Sequence, residues 1–194
     1  MKFAFLELLN SDWHDYRGSG RSEDRIEDPS WLDRFLSRWG WKTVGLPDRA
    51  GRDDLRALRS LLRRLSEDFS TGRHPSEQDL AALNAVLAKT PTVQRVTRAG
   101  EAGYRVEQVP LQKDWDWVLG EIAASFVELL VHHDPRRIKV CENPDCGWVF
   151  YDESRSRTRR WCDARGCGNL LKVRRFRRRR RSARENQAEQ ASSN

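Results

Sequence analysis

Four cysteines within 27 residues are the strongest chemical signal of this chain. They form two pairs, Cys141-x4-Cys146 and Cys162-x4-Cys167, with fifteen residues between the pairs. Two such pairs have the ligand spacing of a tetrahedral zinc site with four thiolates. Because four thiolates leave no coordination position for water or substrate, the pattern predicts one structural Zn²⁺ rather than a catalytic one. Four thiols without a metal remain an alternative, and a redox role is disfavoured because no Cys-x-x-Cys occurs.

The residues around the cysteines are suited to a small metal-dependent module. The turns Cys-Glu-Asn-Pro-Asp-Cys and Cys-Asp-Ala-Arg-Gly-Cys are expected to point backbone N–H groups at the sulfurs. An apolar cover is supplied by Trp148, Phe150, Tyr151 and Trp161. His132 and His133 could substitute as ligands, but a packed histidine on the preceding helix is the favoured interpretation.

Basic residues are concentrated beside this module. Residues 155–184 carry 14 Lys and Arg against one acid, whereas residues 1–154 carry 22 bases and 26 acids. A near-neutral body with one strongly basic end is typical of a nucleic-acid-binding arm, and a merely solvated tail is the alternative. The predicted contact residues are Arg155, Arg157, Arg159, Arg160, Asn169, Lys172, Arg174, Arg175, Arg177, Arg178 and Arg179.

The segment after Cys167 is predicted to be a helix with two unlike sides. Leu170, Val173 and Phe176 share one side at helical spacing, and we expect it to pack on the zinc module. The basic side would then face out. Asn169, Lys172, Arg174 and Arg175 are expected to contact bases, and the all-basic run 177–181 is expected to contact phosphates only.

The elements that must position this module lie in the first 135 residues. Apolar periodicity predicts helices over 28–40, 53–69 and 114–133 and after Ser76, and β-branched segments predict a hairpin over 92–109. Residues 11–27 are expected to be a polar loop.

The predicted fold is therefore mainly α with one short β-hairpin. It comprises a helical N-terminal domain over 1–135, a four-cysteine zinc module with a basic helix over 136–184, and a disordered tail over 185–194. We expect the two units to have independent cores.

Two features of the N-terminal part leave alternatives open. Its tryptophans could line an apolar pocket for a small-molecule effector, or form ordinary core with a homodimer face; they are Trp13, Trp31, Trp39, Trp41, Trp115 and Trp117. A polar cluster of Asp12, His14, Asp15 and Tyr16 could serve an enzyme, but a solvated loop is the favoured interpretation. The catalytic motifs we considered, a nucleophile elbow, a phosphate loop and a metalloprotease motif, do not occur.

Location is predicted from what the chain does not contain. No apolar run reaches the ~18 residues that a membrane span requires. The start has no signal-peptide pattern, so we expect a cytoplasmic protein without a membrane partner.

These residues resemble a known family. Cys141-x4-Cys146 with Trp148, the Arg-rich loop up to Trp161-Cys162, Cys167-Gly168-Asn169 and the following Lys-Val-Arg-Arg-Phe are similar to the CGNR zinc finger. In that family the finger follows a helical domain called ABATE, described as a stress-induced transcription regulator. Leu8-Leu9-Asn10, Arg17-Gly18, and Asp28-Pro29 with Trp31-Leu32 stand where that domain has similar residues. Leu170 replaces the name-giving arginine, which implies that this position packs inward and lacks any contact that the arginine makes.

The resemblance implies transcription regulation, and the residues themselves support zinc and polyanion binding. We therefore expect a zinc-dependent, DNA-binding transcription regulator with duplex DNA as partner. An RNA-binding or ribosome-associated zinc protein is the rival function class, because Arg-rich zinc modules with exposed tryptophans also suit single-stranded bases. A small-molecule enzyme is the third class.

Overall fold

The computed structural model describes residues 3–100 and 103–192, except for the side chains of residues 185 and 187–192. The helices in chain order are α1 (Ala4–Leu9), α2 (Pro29–Trp39), α3 (Arg49–Ser70), α4 (Glu77–Ala88), α5 (Trp115–His132) and α6 (Asn169–Ser192). The strands are β1 (Asp12–His14), β2 (Ser22–Asp24), β3 (Thr92–Ala99), β4 (Gly103–Pro110), β5 (Ile138–Val140) and β6 (Val149–Tyr151). They pair only as antiparallel neighbours, β1 with β2, β3 with β4 and β5 with β6.

Side-chain caps fix where the helices begin. Asp28 accepts from the N–H of Ser30, Ser76 from that of Asp79, and Asp114 from that of Trp117. These caps satisfy N–H groups that have no partner within the helix. Helix α3 begins at Arg49, earlier than predicted, because Asp48 supplies the cap through the N–H of Gly51.

The core of the N-terminal unit is built from helices α1, α3 and α5. Phe5 and Phe126 are fully buried and meet edge to face at 5.0 Å between ring centroids. Leu55, Leu62 and Leu65 on α3 are fully buried against them. The predicted apolar stripes of α3 and α5 are thus confirmed as core-facing.

Five of the six tryptophans of this unit, all except Trp13, lie in the core or pack against it. Trp31 stacks on Phe35 at 5.0 Å, and Phe35 meets Trp41 at 5.7 Å. Trp41 in turn contacts Trp39 and Trp117, at 6.1 and 6.5 Å. A cleft of ≈ 490 Å³ beside them reaches Trp31 but is lined chiefly by charged side chains. The aromatic cluster therefore fits the interpretation of ordinary core better than that of an apolar pocket.

The long hairpin is confirmed, and two small hairpins are added to it. Strands β3 and β4 pair in register from Thr92 with Pro110 to Ala99 with Gly103. Strands β1 and β2 lie in the segment expected to be loop, so that prediction is wrong. Its polar residues are held from α3, where Arg59 donates to Asp24 at 2.6 Å, and the next residues bury Ile26 completely.

The tail also differs from its prediction. Helix α6 continues to Ser192, so most of 185–194, expected to be disordered, is helical; residues 193 and 194 lie outside the described residues. The segment is rich in Ala, Gln and Glu, which have high helix propensity and extend a helix already begun on the finger.

The expectation of independent cores is wrong. Ile138 on β5 and Val149 on β6 are buried in the same hydrophobic cluster as Phe5 and Leu62. The side chain of Asn10 bonds both the N–H and the carbonyl of Val149, each at 2.9 Å. The zinc module therefore completes the core of the helical unit. Among the described residues, no helix is long and apolar enough to cross a membrane.

The shared core predicts cooperative unfolding. Replacing fully buried Leu62 by Ala should destabilise the protein by about 2–5 kcal/mol, because it leaves a cavity in the core. The loss should lower the urea midpoints of helix melting and of zinc release by the same amount. Circular dichroism and a chromogenic chelator measure the two, and Val96→Ala, at a 65% exposed hairpin position, is the control. Two separate transitions, with only the helical one shifted, would contradict a shared core.

Candidate metal centre and nucleic-acid interface

The four cysteines are brought together by a strand end, a turn and a helix start. Cys141 directly follows β5, and Cys146 closes the turn that leads into β6. Gly147 has φ 66°, a conformation that side chains disfavour, and allows the chain to reverse after Cys146. Cys162 lies at the end of the long loop, residues 152–161, that follows β6. Cys167 lies in a single π-helical turn, Ala164–Gly168, immediately before α6. A metal bound by the four cysteines would therefore join the β5–β6 hairpin to the turn that leads into the basic helix.

The sulfur positions fit a tetrahedral zinc ion. All four Sγ atoms lie within 4.8 Å of one another. Cys146 is 3.6 Å from Cys162, and Cys162 is 3.8 Å from Cys167. Zn–S bonds of ~2.3 Å in a tetrahedron require sulfur separations of ~3.8 Å. The four cysteines thus form the predicted zinc site, and its thiolates saturate the ion.

The thiol pKa values show why this cluster needs a cation. Hydrogen bonds from the thiols of Cys146 and Cys162 lower the pKa of Cys141. The same interactions with Cys141 raise the pKa of Cys146 and of Cys162. For Cys141, Cys146 and Cys162 these directions favour one thiolate among the three, and a bound Zn²⁺ stabilises the ionised form of each cysteine that coordinates it. Backbone N–H groups of Asn143 and Trp148 point at the sulfurs, as predicted for such turns.

Asn143 is a supporting residue that sequence reasoning missed. It is fully buried, and its amide donates to Cys167 Sγ at 3.4 Å and to the carbonyl of Tyr16 at 2.8 Å. One side chain therefore joins a zinc ligand to the N-terminal unit. Tyr16 packs against the cysteine cluster, so part of the segment considered as an enzyme site supports the finger.

A second buried group organises the loop between the cysteine pairs. Asp152 is fully buried and accepts from Lys139 Nζ at 2.7 Å, from Ser154 and from the N–H of Arg159. Burial raises the pKa of Asp152, but these hydrogen bonds outweigh burial and hold the pKa well below its usual range. The loop is thus tied to β5 by a charge that stays ionised at neutral pH.

Four of the predicted nucleic-acid residues are engaged within the protein. Arg157 pairs with Asp134 at 3.1 Å, and Arg159 donates to the carbonyl groups of Trp161 and Cys162. Arg160 forms a double contact with Glu142 and lies over the Trp161 ring. Arg174 donates to Asp145 at 2.7 Å and to the carbonyl of Arg17 at 2.6 Å. These side chains hold the finger, the long loop and α6 in place.

The other predicted residues are open. Their side chains are exposed and have no hydrogen-bond or ion-pair partner among the described residues; they are Arg155, Asn169, Lys172, Arg175, Arg177, Arg178 and Arg179. The predicted set therefore divides into positioning residues and residues free to meet a ligand. Sequence alone gave no sign of this division, because the acidic partners of Arg157 and Arg174 are 23 and 29 positions away.

Helix α6 is rotated by about 100° from the predicted orientation. Val173 and Phe176 are 38% and 59% exposed, so the prediction that they pack on the zinc module is wrong. Leu171 and Arg174 instead face the finger, where they line a cleft of ≈ 360 Å³ with Trp161. Leu170, in place of the name-giving arginine, is half-buried. Arg174 sets this rotation through its contacts with Asp145 and Arg17.

The fold and the site define a protein with a helical N-terminal unit and a four-cysteine zinc finger that begins a basic helix. Residues 4–133 match the family model of ABATE, described as "Putative stress-induced transcription regulator". Residues 137–180 match the CGNR zinc finger. The chain belongs to the ABATE family and carries a CGNR zinc finger. A search of curated proteins returns no match. Neither family description is that of an enzyme.

Asn143 generates a prediction on zinc affinity. The purified protein should contain one zinc per chain, and Asn143→Ala should weaken its binding by about 10- to 100-fold, because a supporting donor to the ligand sulfur is lost. Competition with a chelator of known affinity measures the change. Asn84→Ala, at an exposed position on α4, is the control. Equal zinc affinity in both variants would show that the Asn143 contact with Cys167 is not needed by the metal.

Asp152 generates a prediction on pH. Because its pKa is depressed in the folded state, its contribution to stability is present above the unfolded pKa of ~4 and is lost as the pH falls toward the folded pKa. The difference in unfolding free energy between the natural protein and Asp152→Asn should therefore shrink from pH 7 to pH 3. Urea titrations at both values measure it, with exposed Glu153→Gln as the control. A difference that stays constant with pH would sink this assignment.

Proposed function

We propose that this protein is a DNA-binding transcription regulator whose zinc ion is structural and whose α6 contacts the nucleic acid. The observation that carries the proposal is the set of open cations on a helix fixed to the metal centre. Six of the seven open residues are basic; five of these lie on α6, and Arg155 lies in the loop between the cysteine pairs. The family description, a transcription regulator, agrees with this function.

Electrostatics favours a polyanion over other partners. Residues 155–184 carry 14 bases against one acid, Asp163, so phosphate groups would relieve the self-repulsion of the helix. Arginine forms bidentate contacts with phosphate and with guanine, which suits a nucleic-acid surface. The finger is too small to fold without metal. It can nevertheless hold the helix in a fixed orientation, because its strands β5 and β6 contribute to the core of the larger helical unit.

The open residues would make two kinds of contact, with bases and with phosphates. Asn169, Lys172 and Arg175 lie in the first turns, close to the zinc, where their positions are defined well enough to distinguish bases. Arg177, Arg178 and Arg179 lie farther along the helix and would contact phosphates, which carry no sequence information. A homodimer and a small-molecule effector of the helical unit stay predictions.

The proposal predicts a steep dependence of binding on salt. If about six phosphates are neutralised, the logarithm of affinity should fall with the logarithm of salt concentration at a slope of roughly −5. Replacing Arg177, Arg178 and Arg179 by Ala should weaken binding to all duplexes alike and make that slope shallower by about 3. Fluorescence anisotropy across salt concentrations measures both effects.

A matched control exists for this experiment. Replacing Arg34, Arg38 and Arg64 by Ala removes the same charge from exposed positions of the helical unit and should leave the slope unchanged. Equal effects of the two triple variants would show that net charge, and not α6, governs binding. No binding at low salt would refute the proposal, and a strong preference for a matched RNA would favour the RNA-binding class.

A further inference from the structure

An apolar strip lies on the outward side of α6. Val173 and Phe176 are one helical turn apart and are 38% and 59% exposed. Their neighbours on that side, Asn169 and Lys172, are exposed as well. The finger covers the other side, through Leu171 and Arg174. Among the described residues, no other part of the protein therefore packs over the strip.

The charges on either side of the strip indicate its partner. On a helix of ~3.6 residues per turn, Arg179 falls on one side of Phe176 and Arg177 falls on the other. These two side chains have no hydrogen-bond or ion-pair partner among the described residues. Cations along both sides of an apolar strip complement two walls of phosphate with bases between them, which is the geometry of a duplex major groove. That groove is ~12 Å wide and admits one α-helix.

Because the strip is apolar, it would contact an apolar group on the base edges that form the floor of the major groove. The edges of the bases in the major groove present hydrogen-bonding groups, and their one apolar group is the 5-methyl of thymine. Phenylalanine and small aliphatic groups contact that methyl in protein–DNA complexes. RNA offers neither feature, because uracil lacks the methyl and the major groove of A-form helices is too deep and narrow for side chains.

We propose that Val173 and Phe176 bind the 5-methyl groups of thymines in a DNA major groove. This inference rests on the proposed function. It makes these two residues determinants of sequence preference and of the choice of DNA over RNA. Arg180, whose guanidinium lies 5.7 Å from the centroid of the Phe176 ring, would stay beside the ring and meet the backbone of the same groove.

The test removes the methyl groups and changes nothing else. Duplexes enriched from a random pool by the natural protein are synthesised twice, once with thymine and once with deoxyuridine at every thymine position. Charge and base pairing are the same in both. Each methyl buried against the strip should contribute about fourfold in affinity, so we expect the deoxyuridine duplexes to bind about 4- to 16-fold more weakly.

Variants assign the effect to the strip. Phe176→Ala and Val173→Ala should weaken binding to the thymine duplexes, and the double variant should bind both versions equally. Val96→Ala, an exposed apolar position on the β3–β4 hairpin, should keep the full difference. Circular dichroism checks that α6 is retained in each variant.

The outcomes separate the inference from the proposed function. Equal binding of both versions by the natural protein, with the steep salt dependence intact, overturns the methyl contact and leaves DNA binding by α6 standing. A thymine preference that survives in the double variant also overturns it. Absence of binding to either duplex at low salt refutes the proposed function itself.

Discussion

Charge repulsion among four thiolates is the constraint on which the rest of this structure depends. Their sulfurs lie within 4.8 Å of one another, a distance at which four negative charges are compatible only with a cation between them. Once the ion is bound, Cys141 and Cys146 fix the β5–β6 hairpin, and Cys167 fixes the chain two residues before α6 begins. The direction of the basic helix is thus a consequence of metal coordination. The carboxylates of Asp145 and Glu142, between the first two ligands, then hold Arg174 and Arg160 on the neighbouring segments.

The helical unit provides the buried surface that the small zinc finger lacks. A module with so few apolar residues cannot bury enough surface to be stable alone. Here Asn10 pairs with Val149, the Arg63 guanidinium donates to the carbonyl of Gly147 at 2.6 Å, and the carbonyl of Arg17 accepts from Arg174. At Gly18, φ is +84°, which strains any residue with a Cβ, and such a Cβ would lie 2.9 Å from the Arg174 guanidinium, so a larger residue would also displace that side chain. Asn10, Arg17 and Gly18 are among the positions by which the chain resembles the ABATE domain, and all three face the finger.

Local signals made some of these features predictable and left others hidden. The zinc site followed from the spacing of four residues, and helices α2 to α5 followed from apolar periodicity and capping residues, all within a few positions along the chain. The role of Asn143 depends on Tyr16, 127 positions away, and the β1–β2 hairpin depends on arginines of α3, so neither had a local signal. The rotation of α6 was missed for a different reason. Leu170 and Leu171 are adjacent, which gives the helix two candidate apolar faces about 100° apart, and the choice between them is made by the Arg174–Asp145 contact.

The division of arginines into paired and open sets changes what the net charge means. Arg157, Arg160 and Arg174 are paired with acids outside residues 155–184, so at a distance their charges are largely offset and the other bases of that range supply most of the field that attracts a polyanion. Direct contact with a phosphate is more demanding than long-range attraction, because it requires a cation that is not already paired. A phosphate that displaced Glu142 from Arg160 or Asp145 from Arg174 would loosen the contacts that aim α6, so binding there would work against the geometry on which selectivity depends. The open cations carry no such cost. In the proposed function, the finger would therefore act chiefly by orienting the helix, and most of the affinity would come from the open cations of α6.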